Sequence, residues 1–181
     1  MNRDEAMELV RKHLPDDMMR KHVLAVEAVM RGLARHFGED ETVWGLAGLL
    51  HDLDYEMTRT DPERHGRLSG EMLRELGIDP VIVNAVMAHA DKCARDTQIN
   101  KCIYAADPVT GLVIAAALIR PEKKLEFVEL KSLKKRFKEK RFAVGADRDR
   151  ISAIEAAGMP LEKFLEIALE SMKPIAAQLG L

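Results

Sequence analysis

The sequence predicts an all-α fold, on three observations. Apolar residues recur at three- and four-residue spacing in segment after segment, and strand-type alternation stands out nowhere. Start and stop signals punctuate these segments: Asp16-Asp17, Asp61-Pro62 and Asp79-Pro80 at starts, Gly38 and Gly77 at ends. The 181 residues are 47% hydrophobic and 32% charged, which suits one soluble domain with a sizeable core. The expectation is about eight to ten helices in one domain over 1–181: a core at about 18–120 and a helical extension at about 121–181.

Asp4–Leu14 reads as a short amphipathic helix, with Met7, Val10 and Leu14 on one side. Pro15 breaks it, and the next helix runs to Phe37. Its stripe is Met18/Met19, Val23, Val26, Val29/Met30, Leu33 and Phe37, with His22 at the edge. Asp40 or Thr42 caps a helix over Val43–Leu53 that is apolar enough to lie inside the protein. A helix over Glu63–Leu76 would place His65, Leu68, Met72 and Leu76 on one face. Another from Pro80 would bury Ile82, Val86 and His89. The stretches Tyr55–Arg64 and Ala90–Thr97 read as loops. From Gln98, Ile99, Ile103 and Asp107 share a face, and Pro108 predicts a kink or restart before the apolar segment Thr110–Ile119. The basic run Lys131–Arg141 would dock Leu133 and Phe137 and face solvent with its lysines, against the acidic stretch Glu122–Glu129. Helices over Arg148–Ala157, capped by Asp147, and Leu161–Leu179 close the chain.

Net charge is −2, so global charge gives no argument for nucleic acid or membrane, and nucleic acid is not the expected partner. The longest apolar stretch, Gly111–Ile119, is too short for a bilayer, and the first residues lack the apolar core of a signal peptide. Cys93 and Cys102 form neither a disulfide framework nor a zinc-type pair, which suits a reducing, cytoplasmic setting. Oligomeric state has no sequence signal.

The chain is organised around Leu46–Asp54, LAGLLHDLD. An apolar helix delivers His51 and Asp52 to a buried place, where an unpaired carboxylate is costly and a cation would balance it. Other polar residues on apolar faces are His22, His65, His89 and Asp107. A single buried histidine is ordinarily a hydrogen-bonded core residue. Here four of the six histidines fall at such positions, while His13 and His36 suit exposed helix ends. Four His and two Asp with no Cys form an N/O set suited to one or two divalent transition metals: Fe, Mn, Co, Ni or Zn. Two ions sharing Asp52 would use all six.

This pattern resembles the HD-domain metal-dependent phosphohydrolase superfamily, whose hallmark is H…HD…D. The matching residues are His22 in KHVLAVEAVMRGLA, His51-Asp52 in AGLLHDLD and Asp107 in YAADPVTGL; His65 and His89 match the extra ligands of dinuclear members. Leu53-Asp54 stands where HDIG-type members have Ile-Gly, and no GYP motif follows the fourth histidine. The resemblance implies a single HD-domain helical bundle with extra C-terminal helices. It also implies a metal-bound hydroxide attacking phosphorus in a small phosphate ester, a nucleotide. Asp54 would orient a ligand or move a proton, and Lys92, Arg95, Arg64 and Arg59 are the candidate phosphate partners, Lys92 first. The same ligand pattern also fits a dinuclear-iron oxygenase of the HD type or a non-catalytic metal-stabilised sensor module.

Overall fold

A computed structural model describes residues 1–181. The protein is all-α, with eleven α-helices, three short 3₁₀ turns and no strand. Two of the eleven, α4 (Tyr55–Thr58) and α11 (Ala176–Leu179), are single turns.

Two long helices form the axis. α2 (Asp17–Phe37) and α7 (Gln98–Leu118) have 21 residues each and pack on one another. Asp16 caps α2 through Met18 N, and Gly38 ends it in the left-handed conformation that glycine tolerates. The predicted stripe Val23, Val26, Val29, Met30 and Leu33 is fully buried, whereas Met18 is exposed. α7 is long and apolar enough to cross a membrane, yet 61% of its apolar window is buried inside this bundle. It is the core helix.

α3 (Glu41–Leu50) lies along α2, and every residue from Trp44 to Leu50 is buried. Gly48 sets how close the two helices come: a Cβ there would sit 2.9 Å from the Val26 carbonyl oxygen and 3.0 Å from the Glu27 Cα. Both neighbours are backbone and cannot swing aside. Gly48→Ala is therefore expected to force the helices apart at a cost of about 1–3 kcal/mol. The urea midpoint should fall with unchanged slope; an unshifted midpoint would show that the contact is not tight.

α1 (Arg3–His13), capped by Asn2 and Glu5 in a capping box, packs on α3. α6 (Pro80–His89) contacts both α3 and α7, with α5 (Arg67–Glu75) outside it. α8 (Leu130–Lys138), α9 (Arg148–Ser152) and α10 (Leu161–Met172) close over α7, and α10 also reaches α2. One cluster of 45 buried apolar residues runs through the whole assembly.

Several boundaries differ from the sequence reading. α1 begins at Arg3 because Asn2 caps it. α3 starts two residues early, on the Asp40 cap, and stops at Leu50, with His51–Asp54 forming a turn. Tyr55–Thr58, read as loop, winds one helical turn. The helix predicted over Glu63–Leu76 begins only at Arg67, because Gly66 has φ +76°. His65 thus sits in the preceding turn, Leu73 is buried, and Leu76 is exposed. α7 runs through Pro108 without a restart. Pro108 lacks an N–H to donate, but burial of nearly every neighbour outweighs one missing bond. The helix read over Arg148–Ala157 tightens to 3₁₀ at Ala153, and Leu161–Leu179 is broken at Lys173–Ile175, where Pro174 cannot continue the ladder. Leu133 of α8 is buried as expected, but its cations pair elsewhere: Lys134 with Glu162 at 2.6 Å and Arg136 with Glu139 at 2.6 Å, not with Glu122–Glu129.

Candidate metal centre

His22, His51, Asp52, His65, His89 and Asp107 come together at one point. α2 brings His22, the turn after α3 brings His51 and Asp52, the turn before α5 brings His65, the end of α6 brings His89, and mid-α7 brings Asp107. His22 Nε2 lies 3.2 Å from His51 Nε2 and 3.2 Å from Asp107 Oδ1; His65 Nε2 lies 3.1 Å from His89 Nε2. Asp52 lies between the two groups. Its Oδ2 is 3.3 Å from His51 Nε2 and 3.5 Å from His22 Nε2, and its Oδ1 is 3.3 Å from His89 Nε2 and 3.5 Å from His65 Nε2.

Each imidazole is aimed through its other nitrogen. His51 Nδ1–H donates to the Gly48 carbonyl at 2.7 Å, and His89 Nδ1–H donates to the Val86 carbonyl. His65 Nδ1–H donates to Asp54 Oδ1 at 3.0 Å. The Thr110 hydroxyl donates to the Asp107 carbonyl at 2.9 Å, leaving its oxygen to accept from His22 Nδ1 at 3.3 Å. All four Nδ1 atoms carry the proton, so all four Nε2 atoms turn toward the centre as lone-pair donors when neutral.

Asp54 is fully buried and organises one flank. Its Oδ2 accepts from Gly66 N at 2.8 Å and Ser69 N at 2.9 Å, while its own N–H donates to the Ser69 hydroxyl at 2.9 Å. Gly66 has no side chain to cap α5, so a carboxylate twelve residues upstream does so and also aims His65. Asp54 thus stands behind the His65 ring, at its Nδ1 side.

Charge is concentrated here. Burial alone would push the Asp52 carboxyl up, but the His51 and His89 rings hold it well below the usual range. Burial likewise disfavours the His51 imidazolium, but Asp52, with Asp107 and the Gly48 carbonyl, more than offsets that and raises its pKa to about 9. Asp107 is held low despite burial, chiefly by hydrogen bonding to His22. Burial pushes His89 down.

The donor set fits metal. Ligands about 2.0–2.1 Å from a common ion lie roughly 2.8–3.4 Å from each other in octahedral or tetrahedral order. The Nε2 and Oδ separations above fall in or near that range, and two triads, His22/His51/Asp107 and His51/Asp52/His89, have donors within 4.8 Å of one another.

The candidate phosphate partners are arranged unequally. Arg59, stacked over Tyr55 and paired with Glu56, lines a cavity of about 280 Å³ with Tyr55, Thr58, Pro62 and His65. The Lys92 amine lies 3.6 Å from Glu63 and is only 15% exposed. Arg95 pairs with Asp91 and stacks on Tyr104. The Arg64 side chain is exposed, and no ion pair ties it to the centre.

Sequence reasoning missed three residues. Thr110 and Ser69 are polar positions within apolar helix patterns, a signal that was available. Arg150 gave none: it arrives from α9, and its Nη2 donates to Asp107 Oδ2 and the His89 carbonyl, both at 2.8 Å.

Comparison with known proteins adds a frame to this geometry. Residues 19–112 match the family described as HD domain, a span that contains all six converging residues. Ribonuclease Y of Sulfurovum sp. (strain NBC37-1) is 26% identical over 157 residues, 85% of this chain and 31% of that protein. Ribonuclease Y of Opitutus terrae is 24% identical over 161 residues, 87% of this chain and 31% of the relative. Ribonuclease Y 1 of Pediococcus pentosaceus is 29% identical over 90 residues, 50% of this chain and 17% of the relative. The chain thus spans no more than about a third of the length of these relatives. No solved structure matches it.

Proposed function

The chain belongs to the HD-domain family, and from that premise we propose that it is a metal-dependent phosphohydrolase acting on a nucleotide-type phosphate ester. One observation carries this reading: Asp52 presents one oxygen to His22 and His51 and the other to His65 and His89. A bridging carboxylate between two histidine pairs suits two divalent ions, which when bound would activate water and polarise a phosphoryl group. His22, His51 and Asp107 would hold one ion, His65 and His89 the other, with Asp52 shared.

The protein's own contribution is orientation and enclosure. His51 and His89 are buried, whereas His22, His65 and Asp107 are partly exposed, so the centre opens on one side. The Arg59 cavity adjoins that opening through His65. A phosphate ester placed there would meet the Arg59 guanidinium, with Lys92 next to the turn that carries His65. The relatives' name, Ribonuclease Y, brings RNA among the candidate substrates and weighs against setting nucleic acid aside.

The test is metal analysis followed by manganese-dependent hydrolysis. Near two ions per chain, with turnover lost on chelation, is expected; iron with aerobic oxidation and no phosphate release would overturn the hydrolytic reading. Binding should also depend on pH. With the His51 pKa raised to about 9 in the metal-free protein, the imidazolium must lose its proton for Nε2 to bind a cation. Below pH 9 the proton competes, so manganese affinity should rise about tenfold per pH unit for each proton displaced. Titrations at pH 6.5, 7.5 and 8.5 read this directly, and a flat profile removes His51 from the ligand set.

A further inference from the structure

Beside the centre, on the Asp107 side, lies a cationic strip that the six converging residues do not use. Lys101, Tyr104 and Asp107 stand on successive turns of α7. The Arg95 guanidinium lies 3.7 Å from the Tyr104 ring centroid and that of Arg150 lies 4.6 Å from it. Arg95, Lys101 and Tyr104 line a cavity of about 210 Å³ with Ala153 and Ala156. Arg95 is paired with Asp91 at 2.7 Å, but the Lys101 amine has no carboxylate partner. Arg150 Nε is buried without a hydrogen-bond partner, although Nη2 of the same side chain is held by Asp107 and His89. Two cations thus line the cavity, Arg95 paired with Asp91 and Lys101 with no acid, while Arg150 lies against the Tyr104 ring and is tied to the centre through Asp107.

We propose that Arg95 and Lys101, set against Tyr104 and backed by Arg150, form a subsite for a second phosphate of the substrate. The inference rests on the phosphohydrolase reading and narrows it. Lys101 is six residues from Asp107, about 9 Å along the helix axis. An anhydride joins neighbouring phosphorus atoms through a single oxygen, a shorter spacing than this separation of the two helix positions; phosphates joined through a sugar stand further apart and match it better. The substrate is therefore a nucleotide chain with at least two phosphates, a dinucleotide or a short oligonucleotide, in place of a mononucleotide. The arrangement also gives the C-terminal extension a part in recognition, because Arg150 and the two alanines lie outside residues 19–112.

The experiment compares kcat/KM for AMP, ADP and the dinucleotide pApA in the manganese-loaded protein, for the wild type, Lys101→Ala and Lys101→Glu. A charge-assisted phosphate contact is worth about tenfold or more. The wild type should prefer pApA to both AMP and ADP by at least about that factor. Lys101→Ala should cut the preference, Lys101→Glu should abolish it, and metal content should stay at the wild-type value in both. Equal rates on pApA and AMP, or an intact preference in Lys101→Glu, overturn the subsite. Equal preference for ADP and pApA overturns the sugar-linked assignment. If the wild type turns over none of the three, the phosphohydrolase reading fails first. The subsite is then read alone by anisotropy of fluorescein-labelled pApA, where Lys101→Glu must still weaken binding about tenfold.

Discussion

Asp52→Asn is expected to lose both metals and at least about a thousandfold in turnover, because one side chain serves both halves of the centre. Every other converging residue makes its short contacts within one half, although the His51 and His89 donors also lie within 4.8 Å of one another. His22 and Asp107 lie with His51, and His65 lies with His89, but only Asp52 has an oxygen on each side. Asparagine keeps the shape and one carbonyl oxygen, and puts a donor NH₂ where the other lone pairs were. The effect on the metal-free fold depends on pH. Asp52 is held below its ordinary value, so its contribution to stability is present above the unfolded carboxylate pKa and is lost in stronger acid. His51 is raised to about 9, so its contribution is complete below the unfolded imidazole pKa and disappears as pH rises through 9. The pair therefore stabilises most between about pH 4 and 6.5. Metal-free Asp52→Asn should be less stable than the parent at pH 5.5, with the gap closing toward pH 9. Urea midpoints at the two pH values test the sign, and a gap that widens with pH contradicts it.

The two kinds of ligand differed in how legible they were. His51 and His89 are polar residues on otherwise apolar helices, and burial around them was already written in the spacing of Leu46, Leu49, Leu50, Ile82 and Val86. His65 was selected for a helix face it does not occupy. Its place in the cluster comes from a turn that Gly66 and the Asp54 carboxylate create, and only the three-dimensional path of the chain shows that Asp54 reaches Gly66 N. Asp107 reaches the centre despite Pro108, because tertiary burial keeps α7 continuous where local propensity predicts a break. Arg150 could not have been found. The contact joins residues 43 apart, and nothing in RDRIS distinguishes its arginine from a solvated one. Periodicity reports which face is buried; it carries no information about which distant guanidinium meets it.

Asp54→Asn should separate fold from function on one half of the centre. The buried carboxylate accepts three N–H groups, from Gly66, Ser69 and His65. Alanine would strand all three donors at a cost of about 2–5 kcal/mol and loosen both the start of α5 and the His65 ring. Because the Asp54 pKa is lowered, against the effect of burial, by His65, Ser69 and Gly66, the loss relative to wild type should be complete above the unfolded carboxylate pKa and shrink in stronger acid. Asparagine behaves differently. Its carbonyl oxygen can take the place of Oδ2 and go on accepting from Gly66 and Ser69, so the α5 cap survives. Its NH₂ then occupies the place of Oδ1 and donates to His65 Nδ1, which must give up its proton to accept. The proton moves to Nε2, and the lone pair that faced the centre is gone. The variant should keep a urea midpoint near wild type yet bind about one metal ion per chain, with turnover reduced by about 10²-fold or more. Elemental analysis beside the unfolding curve reads both quantities on one sample. Two ions per chain with full activity would show that the Asp54–His65 bond does not set the ring's tautomer. A collapsed midpoint would show that the cap, and not the proton, is what Asp54 chiefly provides.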